Sequence, residues 1–219
     1  MRAIAVGNHP KLEPVAFETQ FDRPLEDWAS PAWLVSMLSL GVEAPFTGDD
    51  VVRTAVRDML RTHGYKPSGR GKPASEYLVR AASEASLSSI NPAVDVCNVV
   101  SLHSGLPISV VDVELASEPF RIAVAPPGSS YVFNTSGQFI RLDGLPCLFD
   151  VEGPCANAVR DSQRTKTRDS TRTTLSVVWG TSDLAGRSGV VSAWYRELLG
   201  RMGAETRPVE LLRIDDGAS

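Results

Sequence analysis

The chain has 219 residues and a formal net charge of −4, with 22 Lys and Arg against 26 Asp and Glu. Hydrophobic residues make up 42% and charged residues 22%, which excludes extended disorder, collagen-like and coiled-coil folds and a small disulfide scaffold. A chain of this size buries a core without staples, and its acidic balance excludes a globally basic nucleic-acid coat while allowing a local basic face.

In chain order, Glu13 to Phe21 alternates Val15, Phe17, Thr19 and Phe21 and predicts a strand. Ser30-Pro31 predicts a helix start, with Ser30 as cap, running through Trp33, Leu34, Met37 and Leu38 to Gly41. Thr47 is a candidate cap for a second helix with an apolar stripe of Val52, Ala55, Val56, Met59 and Leu60 that stops at Gly64. Residues 65–73, rich in Gly, Pro and Lys, are loop chemistry. A short helix then places Tyr77, Leu78, Ala81 and Ala82 inward. Asn91-Pro92 opens a further helix to about His103, with Gly105 as its stop.

From Pro107 the pattern becomes strand-rich: Ile108–Val113, Phe120–Val124, Tyr131–Phe133, Phe139–Leu142, Leu145–Val151 and Thr174–Trp179. A helix from Ser188 turns Val191, Trp194, Tyr195, Leu198, Leu199 and Met202 inward and ends at Gly203, and Val209–Ile214 is a last strand. A helix-rich first half and a strand-rich second half predict an α+β fold, with residues 1–219 forming one domain.

Cys97, Cys147 and Cys155 are odd in number and lack CxxC spacing, as free thiols in a reducing, cytoplasmic compartment would. The apolar run after Met1 is too short for a signal peptide, and no stretch has the apolar length of a bilayer span. There is no GxGxxG, P-loop, HExxH or GxSxG, and His9, His63 and His103 have no ligand spacing, so neither a cofactor nor a metal is expected.

Three features carry possible chemistry. The helix 91–103 is apolar nearly all round, yet Asn91, Asp95 and Asn98 share one face. That stripe is either a structural network, with Asn91 capping and Asp95 pinning a loop, or a pocket wall in which Asn98 offers its amide to a ligand. Basic residues cluster twice, at Arg57, Arg61, Lys66, Arg70, Lys72 and Arg80, and at Arg160, Arg164, Lys166, Arg168 and Arg172. They form either one positive face or two solvated surfaces. Only Tyr65 and Tyr77 lie near them in sequence, which gives little support to base stacking. The segment 155–174 supplies many short polar groups, among them Asp161, Ser162 and Thr167, that either line a pocket or bond their own backbone.

The run Asn91-Pro92-Ala93-Val94-Asp95-Val96-Cys97-Asn98, followed by Gly105-Leu106-Pro107 and Asp112, resembles the B3/B4 domain of the phenylalanyl-tRNA synthetase beta subunit. Free-standing B3/B4-domain proteins also have loops similar to Gly64-Tyr65-Lys66-Pro67 and Arg164-Thr165-Lys166-Thr167, so the resemblance covers about residues 50–200. It implies an α+β fold of helices packed around mixed β-sheets. It also implies a site that, in the synthetase, hydrolyses tyrosine wrongly esterified to tRNA. Asn98 falls at a position lining that site, whereas Ser109 stands where the synthetases carry His. The chain is too short for an aminoacylation core.

The expected function is a tRNA- or aminoacyl-ester-binding module able to hydrolyse mischarged aminoacyl-tRNA in trans. Asn98, Ser109, Thr167 and Asp95 are the pocket candidates, and Arg160, Arg164, Lys166, Arg70 and Lys72 the phosphate contacts. The alternative is a non-catalytic binding protein for a free amino acid or related metabolite. Neither DNA nor a membrane is an expected partner, and a thiol or serine hydrolase ranks last for want of a nucleophile–base pair.

Overall fold

The computed structural model describes residues 2–214. Its helices are α1 (Ala32–Ser36), α2 (Asp50–Arg61), α3 (Ala74–Ser83), α4 (Pro92–Ser104) and α5 (Arg187–Arg201). The first strands are β1 (Ala3–Val6), β2 (Val15–Gln20), β3 (Ile108–Asp112), β4 (Phe120–Val124), β5 (Ser130–Val132) and β6 (Phe139–Arg141). They are followed by β7 (Pro146–Asp150), β8 (Gly153–Asn157), β9 (Thr173–Val178), β10 (Glu205–Pro208) and β11 (Glu210–Arg213). The fold is α+β. Among the described residues no helix is long and apolar enough to cross a membrane.

A five-stranded sheet runs β11-β1-β4-β7-β8, and a four-stranded antiparallel sheet runs β10-β2-β9-β3. In the first sheet β1 is parallel to β11 and β4, and the rest is antiparallel. β5 and β6 form a separate hairpin. Strand alternation sorts the core into two layers. Ala16, Val111, Leu175 and Val177 face the five-stranded sheet and pack with Ile4, Ile122 and Leu148. Phe17, Val110 and Val178, on the other face, pack with Val96 and Val100 of α4 and Val191 and Leu198 of α5. The order of layers is sheet, sheet, helices.

Helix α4 is buried nearly all round because it lies in that second layer. The Asn91 side chain accepts from the Val94 N–H at 3.0 Å, Pro92 begins the helix, and Gly105 ends it at a left-handed φ of 73°. That glycine also meets Gly48 so closely that a Cβ on Gly48 would lie 2.9 Å from the Gly105 Cα, which seats the end of α4 against the loop before α2.

Several local expectations are corrected. Thr47 is not the cap of α2: Asp49 accepts from the Val52 N–H at 2.9 Å, while the Thr47 carbonyl accepts from Arg187. Ser30 does not cap α1, whose N-cap is Pro31; the Ser30 hydroxyl donates to Asp95 instead. Helix α1 ends at Ser36 rather than near Gly41, and the Met37 carbonyl, needed for its continuation, is bonded by His103 Nε2 at 2.9 Å. Strands β1, β8 and β10 were not expected.

Beside β1, His9 is buried, with its ring centroid 4.9 Å from that of His63. Its Nδ1 accepts from the Leu12 N–H at 2.9 Å, and its Nε2 is buried without a partner. Burial first, then His63 and Arg213, lower its pKa from 6.5 to about 4. The unfolded chain therefore takes up the proton first as pH falls. His9→Asn keeps an acceptor in place of Nδ1 and removes the titration. Relative to that variant, wild type should lose up to about 3 kcal/mol of stability between pH 6.5 and 4. Denaturant titrations of both proteins across that range check this; a constant difference would show that His9 does not titrate in this way.

Candidate functional site

The two sheets meet at their edge strands β3 and β8, and a polar site is built on that seam. Ser109 of β3 is buried, and its hydroxyl accepts from Trp179 Nε1 at 2.8 Å and donates to Asp161 Oδ1 at 2.7 Å. Asn157, at the end of β8, folds the next turn on itself. Its Oδ1 accepts from the Val159 and Arg160 N–H groups at 2.7 and 3.0 Å, and its Nδ2 donates to the Tyr131 hydroxyl. That hydroxyl in turn donates to the Arg160 carbonyl. The turn brings Asp161 back against its own start, where Oδ1 also accepts from the Asn157 N–H at 3.2 Å.

Asp161 lies in a cleft of about 460 Å³ bounded by α3, α4, the hairpin and residues 159–166. Asn98 and Lys166 line it too. The Asn98 amide makes no hydrogen bond among the described residues. The Lys166 ammonium donates to the Phe133 carbonyl at 2.7 Å. Burial pushes the Asp161 carboxyl up from 3.8 to about 6, against the opposing hydrogen bonds from Ser109 and Asn157 and the charge of Lys166. Burial likewise lowers the pKa of Lys166, with Asp161 opposing. The cleft thus offers a desolvated carboxylate, an ammonium and a free amide.

A second, open groove of about 800 Å³ adjoins the cleft and shares Tyr77, Phe133 and Arg160 with it. The Arg160 guanidinium carbon lies 4.4 Å from the Phe133 ring centroid and 5.0 Å from that of Tyr77, so the two rings hold it between cleft and groove. Arg70 and Lys72 complete the cationic lining, while Arg80, also on the groove, pairs with Glu84 at 2.8 Å. Arg70 and Lys72 come from the loop 65–73, braced by the Tyr65 and Tyr77 hydroxyls donating to the Gly71 and Gly69 carbonyls.

The structure therefore brings Asn98, Arg160, Lys166, Arg70 and Lys72 to one composite site and leaves other candidates outside it. Asp95 is fully buried and accepts from the Ile90 N–H at 2.8 Å and from the Ser30 and Ser89 hydroxyls. Its place is structural, and the polar stripe of α4 divides into Asn91 and Asp95 as scaffold and Asn98 in the cleft. Thr167 accepts from Asn91 Nδ2 at 3.2 Å and does not line the cleft. Ser109 lies beneath it. Arg164 is taken by Asp150 through contacts of 2.7 and 2.8 Å.

The remaining basic clusters are largely neutralised: Arg57 pairs with Glu76, Arg61 with Asp58, and Arg168 with Asp112 and Glu114. Tyr77, expected to face inward, lines the cleft and groove. Sequence reasoning missed Asp161 as a centre; its one signal is the pair of polar residues, Asn157 and Asp161, on either side of the buried Ala158 and Val159.

The cysteines are free and buried, and none lines the cleft. Burial pushes the Cys97 thiol up to about 12 and raises Cys147 and Cys155 as well. Among the described residues no group of three His, Cys, Asp or Glu could hold a metal ion.

Asp161→Asn keeps an oxygen to accept from Ser109 and removes the confined charge. Because the folded carboxyl titrates at about 6 against 3.8, wild type carries a cost when ionised that vanishes as it protonates. The stability of the variant relative to wild type should rise by about 2–3 kcal/mol between pH 3.8 and pH 6 and level off above. Chemical denaturation at several pH values measures this, and a pH-independent difference contradicts it.

The B3/4 domain family matches residues 66–185, which contain α3, α4 and all the cleft residues. A search of curated proteins finds no match. Among solved structures the chain is similar to an N-terminal fragment of the phenylalanyl-tRNA synthetase beta-subunit from Pyrococcus horikoshii, with a TM-score of 0.54 and 10% sequence identity. The likeness covers 96% of this chain and 52% of that one, so the chain spans about half the length of the fragment, and at that identity it speaks for the fold. With more than half of its residues matched, and with α4 and the seam beside it inside the match, the chain belongs to the B3/4 domain family.

Proposed function

We propose that the chain binds the aminoacylated end of a tRNA and hydrolyses the ester in trans, as an editing module. The observation that carries this reading is the junction at Arg160: a cleft with apolar walls and a few polar groups, Asn98, Asp161 and Lys166 among them, adjoins a cationic groove. A ligand fitting both has a compact head that carries an ammonium beside a neutral carbonyl, and a polyanionic body, which is the chemistry of an aminoacyl ester on a nucleic acid. In the cleft the Asp161 carboxylate meets the α-ammonium. Asn98 and Lys166 offer N–H donors where the ester oxygen becomes negative as water adds. The ester is already activated, so a positioned water suffices. The buried thiols and the engaged Ser109 hydroxyl favour water over a protein nucleophile.

Presentation of mischarged tRNAs to the purified protein tests this directly. Asn98→Ala should reduce deacylation by about a hundredfold while lowering stability by about 1 kcal/mol or less, since its amide makes no internal bond. Enzyme-dependent deacylation should rise with pH through about 6, as Asp161 ionises, and then level off. Replacing Cys97, Cys147 or Cys155 one at a time with Ala should leave it unchanged. Loss of activity with one cysteine but not with Asn98→Ala would replace the mechanism by a thiol one. Binding of a free amino acid without deacylation would favour a metabolite-binding protein.

tRNA binding should weaken steeply with salt as counterions are released. The double substitution Arg70→Ala, Lys72→Ala should shallow the log–log salt slope by about 1.5, two contacts at roughly 0.7–0.9 each. An unchanged slope would remove the groove as the phosphate track.

A further inference from the structure

We propose that the groove holds an unpaired RNA strand, with one base stacked on Phe139. This rests on reading the groove as a nucleic-acid track and specifies which form of nucleic acid it takes. Phe139 is 71% exposed on β6, and it lines the groove together with Arg70 and Lys72. A lone exposed apolar side chain is common on protein surfaces; what sets Phe139 apart is that its open ring shares one groove with two cations. The other two groove aromatics are occupied, since Arg160 lies over both Phe133 and Tyr77. Phe139 alone of the three has no ring or cation partner among the described residues.

The charge pattern limits the occupant. Arg70 and Lys72 form no salt bridge among the described residues, and they sit in a groove with Arg160 and with Arg80, which is paired with Glu84. Free cations beside a free ring match a phosphate backbone with an accessible base face. A duplex has its base faces already stacked on one another, so it could use the cations and not the ring. An unpaired strand uses both. The groove leads past Arg160 into the cleft, so a strand ending in an esterified ribose would lie with its last nucleotides along the ring and its acyl group by Asp161.

The contribution of Phe139 is sequence-tolerant, because every base has a π-face, and it is less salt-dependent than that of the cations. A loss of about tenfold in affinity or more is the expected scale for one stacked base.

The test measures binding of wild type, Phe139→Ala, Phe139→Leu and Phe139→Trp to three probes at two salt concentrations. The probes are a short single-stranded oligoribonucleotide ending in CCA, a blunt RNA duplex of equal charge, and inorganic polyphosphate. Phe139 is exposed, so these variants are expected to fold, and circular dichroism checks that they do. Phe139→Ala and Phe139→Leu should each lose about tenfold on the single strand, Phe139→Trp should retain affinity, and the duplex and polyphosphate should not respond. If Leu binds as well as Phe, or if all variants match wild type on the single strand, stacking is overturned, while the salt response of the Arg70 and Lys72 variants still supports the track. Equal losses on all three probes would also overturn it, by showing a general disturbance of the groove. If wild type binds no RNA at low salt, both the stacking and the underlying reading fall.

Discussion

A single hydroxyl, that of Ser109, ties the two sheets to the site between them. Ser109 stands on an edge strand of one sheet, and its oxygen accepts the indole N–H of Trp179 while its proton goes to Asp161. Trp179 is fully buried, so its N–H must find a partner on this spot. With the lone pair engaged by the indole, the hydroxyl proton is directed to the carboxylate. The carboxylate is thus anchored to the interior from below and exposed to the cleft from above. The turn from Asn157 to Asp161, which closes the edge of the other sheet, is held in the same network.

That anchoring explains how a charge survives in a desolvated place. Asp161 has donors from Ser109 and Asn157 on one side and the ammonium of Lys166 nearby, yet burial outweighs them. Such an imbalance is common where a group serves a ligand, because a ligand cation or water can complete what the protein leaves unfinished. The surface follows a contrasting rule. Most of the basic residues that cluster in sequence are spent on local carboxylates, as with Arg164 on Asp150 and Arg57 on Glu76. Positive potential is left where the loop 65–73 and Arg160 meet the hairpin. A protein of net negative charge thereby keeps one cationic track.

Much of the scaffold was legible because its signals are local. Asn91-Pro92 and Gly105 bracket α4, and the alternation in Phe120–Val124 marks β4 to the residue. Strand β8, Gly153–Asn157, escaped because Gly and Pro occupy its start and no alternation shows. Strand β10 escaped because its residues are polar and lie at a sheet edge. Asn98 became a candidate through an amide out of place on an apolar helix, which by itself left scaffold and pocket wall both open, and through a family resemblance; the structure puts it on the cleft. Asp161 could not be read in the same way, since its environment depends on Ser109, 52 residues away. The aromatic wall of the groove was equally hidden: Tyr77 and Phe133 are brought together only by the guanidinium of Arg160 between them.

The hairpin of β5 and β6 pairs with neither large sheet. A two-stranded ribbon has little stability of its own, and this one is tethered through the Tyr131 hydroxyl to Arg160 and Asn157 and through the Phe133 carbonyl to Lys166. Tyr131 and Ile140 also pack into the core, and two of the polar attachment points, Arg160 and Lys166, line the cleft. Opening of the ribbon and occupancy of the cleft become thermodynamically linked: whatever engages Lys166 or Arg160 also changes how often the ribbon detaches. A ligand reaching from cleft to ribbon would slow amide exchange in β5 and β6 more than in the sandwich, because it would add to the polar tethers that hold the ribbon down.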